Sequence, residues 1–384
     1  MKTKKKKIAC VTGARADFGI LTPVLKAIEA SEKLELALYA TGVHLMPKFG
    51  NTIDEVRKIF PNVVEVPAIF ETDDRAGMAR FAGKFIVSLT SELEKNRPDF
   101  MFTPFDRVEA LAASVACLYL GIPTGQFHGG EVTSTVDESA RHAITKMTSI
   151  HFPATKESAE RIKKMGEEEW RIHVVGAPAL DTLLNEKLPS RDELFRELHL
   201  NPAEKIILVT QHAVSEEYEQ ASKQMEETLK AVKSFNLPVV MVYPNADSGG
   251  QKIIEVIDRE KNNPQFHIFA NLPHKTFLAL EREAAVWVGN SSGAMIESSS
   301  FKTPVVNVGT RQSGRQRGEN VIDAGYDAEE IKKAIEKSLN DKEYLARLQT
   351  ISNPWGDGKA SERTVKILED LELGSKLLLK QITY

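Results

Sequence analysis

Cysteine is nearly absent: Cys10 and Cys117, each inside an apolar run, are the only two in 384 residues. Neither a disulfide framework nor a cysteine-rich zinc site can be built from them, and a reducing cytoplasm is the expected setting. An excess of either charge is lacking as well, with 50 Lys+Arg against 54 Asp+Glu and a formal charge of -4. A nucleic-acid partner held by bulk positive charge is therefore not expected, and any anion binding must be local. No stretch approaches the roughly 18 consecutive apolar residues that suggest a membrane span. The basic start, Lys2 and the lysines at 4–7, precedes an apolar stretch cut short by Gly13, Arg15 and Asp17, so it reads as a solvated tail rather than an export signal. Several catalytic signatures are missing too. There is no G-x-G-x-x-G, no P-loop Lys-Ser/Thr and no H-E-x-x-H, which removes support from nicotinamide, ATP and zinc chemistry. No metal and no cofactor are expected.

What is present is an ordinary globular composition, 42% hydrophobic and 27% charged, long enough for two or three domains. Short Val/Ile/Phe-rich runs alternate with stretches of helical period, the signature of a parallel sheet with crossover helices. Strands are expected over 8–13, 34–41, 63–69, 100–105, 123–128, 149–153 and 172–176, then over 205–210, 238–243, 267–270, 286–288 and 304–308. Pro178, Pro189 and Pro202 loosen the pattern in the middle. The expected class is thus α/β with two doubly wound Rossmann-like domains. The limits read as 1–177 for the first, 178–204 for a linker, 205–360 for the second, and 361–384 for a helix returning to the first. In open α/β folds ligands sit at the carboxyl ends of strands, which here predicts a cleft between the domains. Unusual polar residues do follow the expected strands, at 13–17, 106–109, 128–131, 212, 245–247 and 289–292.

The turn GARADFG at 13–19 joins the first strand to the first helix, where free N–H groups and Arg15 could hold an anion; a plain structural turn would look the same. Gly289, Asn290, Ser291, Ser292 and Gly293 form a second strand-to-helix turn offering N–H groups and hydroxyls to a phosphate, and Glu297 follows as an acceptor for ribose hydroxyls or as a surface carboxylate. Arg311, Arg315 and Arg317 lie in one glycine-rich loop and must repel unless a diphosphate, or carboxylates such as Glu319 and Asp323, sit among them. Candidate acids and bases are Asp106, Glu109, His128, Glu131, Asp137, Glu138, His142 and His212. The stretch 128–142 is dense in them, around Gly129 and Gly130, which could let backbone approach a ligand or simply shape a charged loop. His44, His151, His173 and His267 sit in or beside apolar runs and read as structural.

Taken in order, TGARADFG at 12–19, TGVH at 41–44, GNT at 50–52, Asp106-Arg107, HGGE at 128–131, Asp137-Glu138, RHAITK at 141–146, GNSS at 289–292 and GTRQ at 309–312 resemble the hydrolysing UDP-N-acetylglucosamine 2-epimerases of sialic-acid and legionaminic-acid biosynthesis. The resemblance runs along the whole chain. It implies a GT-B-like pair of domains, a homodimer or homotetramer, no metal, and UDP held by the second domain. It implies loss of UDP from C1 as the C2 proton leaves, giving a 2-acetamidoglucal, then hydration to free N-acetylmannosamine. By resemblance Asp106, Glu131, Asp137, His128 and His212 are catalytic, and Arg15, Gly289, Asn290, Ser291, Ser292, Gly293, Glu297 and Arg311 bind UDP. Phe105, Arg107, Arg141 and His142 would line the sugar site.

Three departures stand out. Phe105 replaces the glycine of a common Gly-Asp-Arg, His128 stands where some members have glutamate, and Gln211-His212-Ala213 replaces a usual His-Pro. They leave open a 2,4-diacetamido-trideoxyhexose nucleotide as the substrate. A non-hydrolysing epimerase usually has G-x-R-P-E near its start, against Gly-Ala-Arg-Ala-Asp here. A UDP-sugar-binding protein without turnover, or a GT-B glycosyltransferase, are the remaining readings.

Overall fold

The computed structural model describes residues 4–47, 50, 52–72, 74–133, 136–244 and 249–384. The chain divides into two compact units: unit 1 is Met1–Glu131, Asp137–Thr182 and Trp355–Tyr384; unit 2 is Val132–Val136 and Leu183–Pro354.

Unit 1 holds a parallel sheet of β1 (Lys6–Thr12), β2 (Leu34–Ala40), β3 (Val64–Glu65), β4 (Phe100–Phe102), β5 (Thr124–Phe127) and β6 (Ile150–Phe152) in the order β3-β2-β1-β4-β5-β6. Period two along the strands sends side chains into two cores. Ile8, Cys10, Phe100 and Phe102 pack with Phe18, Leu21 and Leu25 of helix Arg15–Ala30, while Ala9, Val11 and Met101 pack with Phe81, Phe85 and Leu89 of helix Arg75–Lys95.

Unit 2 repeats the plan with β7 (Ile207–Thr210), β8 (Val239–Val242), β9 (Phe266–Phe269), β10 (Val286–Gly289), β11 (Val305–Val308) and β12 (Val321–Ala324), ordered β12-β11-β10-β7-β8-β9. Read from the other edge, this is the same order as unit 1. Both are doubly wound Rossmann-like sheets whose order reverses beside the first strand, at β1/β4 and at β7/β10. The α/β class of GT-B-like type expected from the sequence is the class observed.

Three strand expectations differ. The run 63–69 pairs only over β3, because Pro67 has no N–H to continue the ladder. At 172–176 a single bridge, His151 to Ile172, replaces a strand, and Gly176 turns away at φ +96°. The unexpected β12 is a partly exposed edge of four residues containing Asp323, too short and too polar to stand out as an apolar run.

Nor are the first lysines all a loose tail. Lys6 and Lys7 lie in β1, and Lys6 Nζ donates to the carbonyls of Leu368 (3.1 Å), Glu369 (2.8 Å) and Leu371 (2.6 Å), capping helix Ala360–Asp370. The segment 355–384 packs within unit 1. Fully buried Arg171 donates to the carbonyls of Lys376 (2.9 Å), Leu377 (3.0 Å) and Leu379 (3.1 Å).

Candidate functional site

Two clusters form at the carboxyl ends of the strands flanking the order reversals, one in each unit. In unit 1, β1 runs into Gly13 and helix Arg15–Ala30, the turn expected to hold an anion. The chain supplies its own: the Asp17 carboxylate accepts from the N–H of Gly13 (2.9 Å) and Ala14 (3.1 Å) and from Thr12 Oγ1 (2.8 Å). Arg15 is hydrogen-bonded to Glu55. His44 completes a buried chain, its Nε2 3.0 Å from Thr12 Oγ1 and its Nδ1 2.7 Å from Thr52 Oγ1. Thr12 donates to Asp17, so the consistent tautomer has His44 donating through Nε2 and accepting from Thr52. Burial pulls the His44 pKa down to about 4, so it is neutral at pH 7.

Beyond β4, Phe105 and Asp106 lead into helix Val108–Leu120. Phe105 has φ +67°, the left-handed region that costs a side-chain-bearing residue of order 1 kcal/mol. That conformation explains why a glycine suits this position. Beyond β5, His128 also has positive φ, +59°, and hydrogen-bonds through Nδ1 to the buried Glu131. The rings of Phe105 and His128 lie 5.4 Å apart, and Trp355 lies 6.2 Å from His128 on another side.

Arg141, on helix Val136–Met147 and 1% exposed, is the hub. Its guanidinium pairs with Asp106, donates to the Glu131 carbonyl (3.1 Å) and donates to Glu138 Oε2 (3.0 Å). Burial alone would lower the Arg141 pKa, but Asp106, Glu131 and Glu138 reverse that and raise it. His142 turns to Glu138 Oε1 (3.0 Å), and Asp137 sits in the first turn of the same helix. Arg107 lies 3.4 Å from Glu109, whose carboxyl group is buried.

The two glycines after His128 do not leave room for a ligand. A Cβ at Gly130 would stand 2.2 Å from the Ser158 carbonyl, and one at Gly129 would stand 2.7 Å from Gln126 Oε1, so the chain's own packing needs both. Gln126 is a residue that motif reading missed. Fully buried, it donates to the carbonyls of Phe105 (3.1 Å) and Arg141 (3.2 Å) and accepts from Thr145 (2.7 Å), fixing the Phe105 turn against helix Val136–Met147. Its position inside an apolar strand was the only available signal.

In unit 2, β10 ends at Gly289, where φ is +131° and a Cβ would lie 2.0 Å from the Thr210 carbonyl, so glycine is obligatory. Asn290 follows, and both ends of its amide are taken by the chain: Oδ1 accepts from His212 N (2.7 Å) and Nδ2 donates to His212 O (2.9 Å). Its carbonyl accepts from Arg311 Nη1 (3.1 Å) and Gln312 Nε2 (2.9 Å). Asn290 therefore ties together the loops after β7, β10 and β11. Ser291 precedes the short helix Ser292–Ile296 without capping it through its side chain, and Ser291, Ser292 and Gly293 are all partly exposed. Glu297 ends that helix, its Oε2 only 3.2 Å from where a Gly293 Cβ would stand, so its carboxylate lies beside the turn. Of the three arginines, Arg317 pairs with Asp323 and takes the structural role; Arg315 Nη1 donates to Gln312 Oε1 (3.3 Å). Residues 245–247 and Asn51 of the GNT block lie outside the described residues. Among the described residues no group of three or more His, Cys, Asp or Glu could hold a metal ion.

A family model described as UDP-N-acetylglucosamine 2-epimerase matches residues 26–369. Among curated proteins, a UDP-N,N'-diacetylbacillosamine 2-epimerase (hydrolyzing) of Legionella pneumophila is 37% identical over 380 residues, 99% of this chain and 100% of that protein. A UDP-N-acetylglucosamine 2-epimerase of Neisseria meningitidis is 33% identical over 336 residues, 87% of this chain and 88% of that protein. Among solved structures, the UDP-GlcNAc 2-epimerase from Neisseria meningitidis bound to UDP-GlcNAc superposes with a TM-score of 0.79 at 20% identity, covering 94% of this chain and 99% of the other.

Proposed function

The chain belongs to the UDP-N-acetylglucosamine 2-epimerase family, and we propose that it is a hydrolysing member, turning a UDP-2-acetamido sugar into the free 2-epimeric sugar plus UDP. The observation that carries this reading is the Arg141 hub. One buried guanidinium gathers Asp106, the Glu131 backbone and Glu138 beside the Glu131–His128 hydrogen bond, which concentrates acid–base groups far beyond what group transfer to an acceptor needs.

The chemistry has two steps. A carboxylate removes the C2 proton, the C2 electron pair forms the C1–C2 double bond, and the C1–O bond breaks with UDP leaving. Water then adds its hydroxyl to C1 while an acid returns a proton to C2 from the opposite face. Asp106, Glu131 and Asp137 form the acid–base set, and His128 relays a proton through Glu131. Arg107, Arg141 and His142 border the sugar and orient it. In unit 2, the N–H groups and hydroxyls of 291–293, with Arg311 and His212, take the developing negative charge of the diphosphate, and Glu297 takes the ribose. The 1–177 region carries the sugar chemistry and 205–360 the nucleotide; a cytoplasmic homodimer or homotetramer working without a metal completes the reading.

Phe105 favours a 2,4-diacetamido-2,4,6-trideoxyhexose over N-acetylglucosamine. Its ring presents apolar surface where glycine would leave space, which suits a 6-methyl group better than a hydroxymethyl. The Legionella relative, named for such a sugar, agrees. Proton NMR in deuterated water with each UDP-sugar tests both points. Free sugar with deuterium at C2 and released UDP is the expected spectrum, faster for the diacetamido sugar. Deuterated epimer still attached to UDP would make the enzyme non-hydrolysing, and no exchange with either sugar would overturn the catalytic reading.

A further inference from the structure

Helix His274–Glu283 of unit 2 buries Glu281 completely, and neither of its carboxyl oxygens meets a hydrogen-bond donor among the described residues. What stands against it is a second carboxyl group, that of Glu297, itself 7% exposed. Two carboxylates in contact away from water cannot both be charged, so the pair must hold a proton. The more deeply buried member keeps it: burial first, and then the Glu297 charge, push the Glu281 pKa well above the carboxylate range.

The other charges nearby are engaged elsewhere. Helix Arg191–Glu197, packed on the same helix, brings Glu197 to Thr276 Oγ1 (3.2 Å) and Arg191 to Glu283 (3.0 Å), and Arg282 binds Glu283 (2.7 Å). The Glu281 carbonyl accepts from Thr303 Oγ1 (2.9 Å), and among the described residues Glu297 is the one charged group acting on its side chain. A merely structural position would be better filled by an apolar residue of similar volume.

We propose that Glu281 is a positioning residue for nucleotide binding: as a neutral carboxylic acid it donates a hydrogen bond to Glu297 and fixes that carboxylate beside the Ser291–Gly293 turn, ready to accept both hydroxyls of a ribose. This rests on the reading of unit 2 as the UDP-binding unit. Nothing in motif order marks Glu281; only its burial against a second acid does.

The test compares wild type with Glu281→Gln, which keeps a donor, and Glu281→Leu, which keeps bulk without one. Calorimetry with UDP at pH 6.5 should give wild type and Glu281→Gln affinities within about threefold, and Glu281→Leu a loss of about tenfold or more, as for a hydrogen bond to a charged group. Equal binding by the leucine and glutamine variants overturns the proposal. Melting profiles without nucleotide read the proton itself. A raised folded pKa means the native state holds more protons above pH 4.5, so wild type should lose ground to Glu281→Gln steadily as pH rises from 5 to 9. A constant difference overturns it. Should wild type take no UDP at any pH, the nucleotide reading fails and the proposal with it; a widening melting gap would then show that the proton pair survives that failure, and a constant one that it does not.

Discussion

Phe105 and His128, both in left-handed backbone at φ +67° and +59°, set their rings 5.4 Å apart at 47°. Neither residue type favours that conformation, so the surroundings must impose it, and at Phe105 Gln126 helps to do so by holding the carbonyl at 3.1 Å.

Replacing Phe105 by glycine removes the backbone strain, of order 1 kcal/mol, and loses the ring's contacts with His128, so stability should change by less than about 1.5 kcal/mol either way. Specificity should move more. The ratio of kcat/KM for the diacetamido sugar over UDP-N-acetylglucosamine should fall by about tenfold, the usual size for one apolar contact in a pocket. Competition between the two substrates in one tube measures it; an unchanged ratio would remove Phe105 from the sugar site.

Asp106 and Arg141 separate chemistry from folding. Asp106→Asn keeps size and polarity but loses the base, so turnover should drop by about a hundredfold or more while UDP affinity stays within about twofold. Arg141→Met leaves Asp106 and Glu138 without their buried counter-ion, and should cost about 3–5 kcal/mol in denaturant unfolding. Near-normal turnover in Asp106→Asn would end its assignment to the acid–base set.

Acid should unfold this protein partly through His44. Its folded pKa, about 4, lies below the ordinary histidine value of 6.5, so the unfolded chain binds more protons between those limits. Stability is then fully present above pH 6.5 and falls as pH drops toward 4, by an amount on the order of 3 kcal/mol from this residue. Urea midpoints at pH 4.5 and 7 should converge in His44→Asn relative to wild type. Equal pH slopes in both would show that the Thr12–His44–Thr52 chain takes up a proton without cost.

The sheets were legible in the sequence because strands buried on both faces read as continuous apolar runs, as in 206–210 and 304–308. Much of the candidate site was legible for a related reason: polar residues such as Asp106 and Ser291 follow such runs closely. The order reversals that locate both clusters follow from pairing across the chain, which no local pattern states. Partners were less visible. Asp17 fills the turn assigned to an anion, because a carboxylate three residues into a helix competes for the N–H groups an external ligand would use. Gln126 escaped notice because it looks like a polar interruption in an apolar strand, and Glu281 because it opens the charged run Glu281-Arg282-Glu283, which reads as a solvated helix end until its buried neighbours are known.

Asn290 offers the sharpest separation of holding from binding. Its amide satisfies both the N–H and the C=O of His212, at 2.7 and 2.9 Å, so no other side chain of its size can replace both bonds. Asn290→Asp keeps the acceptor but turns the second contact into two oxygens facing each other, whereas Asn290→Ala loses both. Each lost or inverted bond in this buried place should cost about 1–3 kcal/mol, with aspartate no better than alanine despite its closer shape. If the loops after β7, β10 and β11 are held by this residue, UDP affinity should fall in step with stability in both variants, and adding saturating UDP should restore part of the lost melting temperature. Full UDP affinity in a destabilised Asn290→Ala protein would show instead that His212 and Arg311 keep their places without the tie.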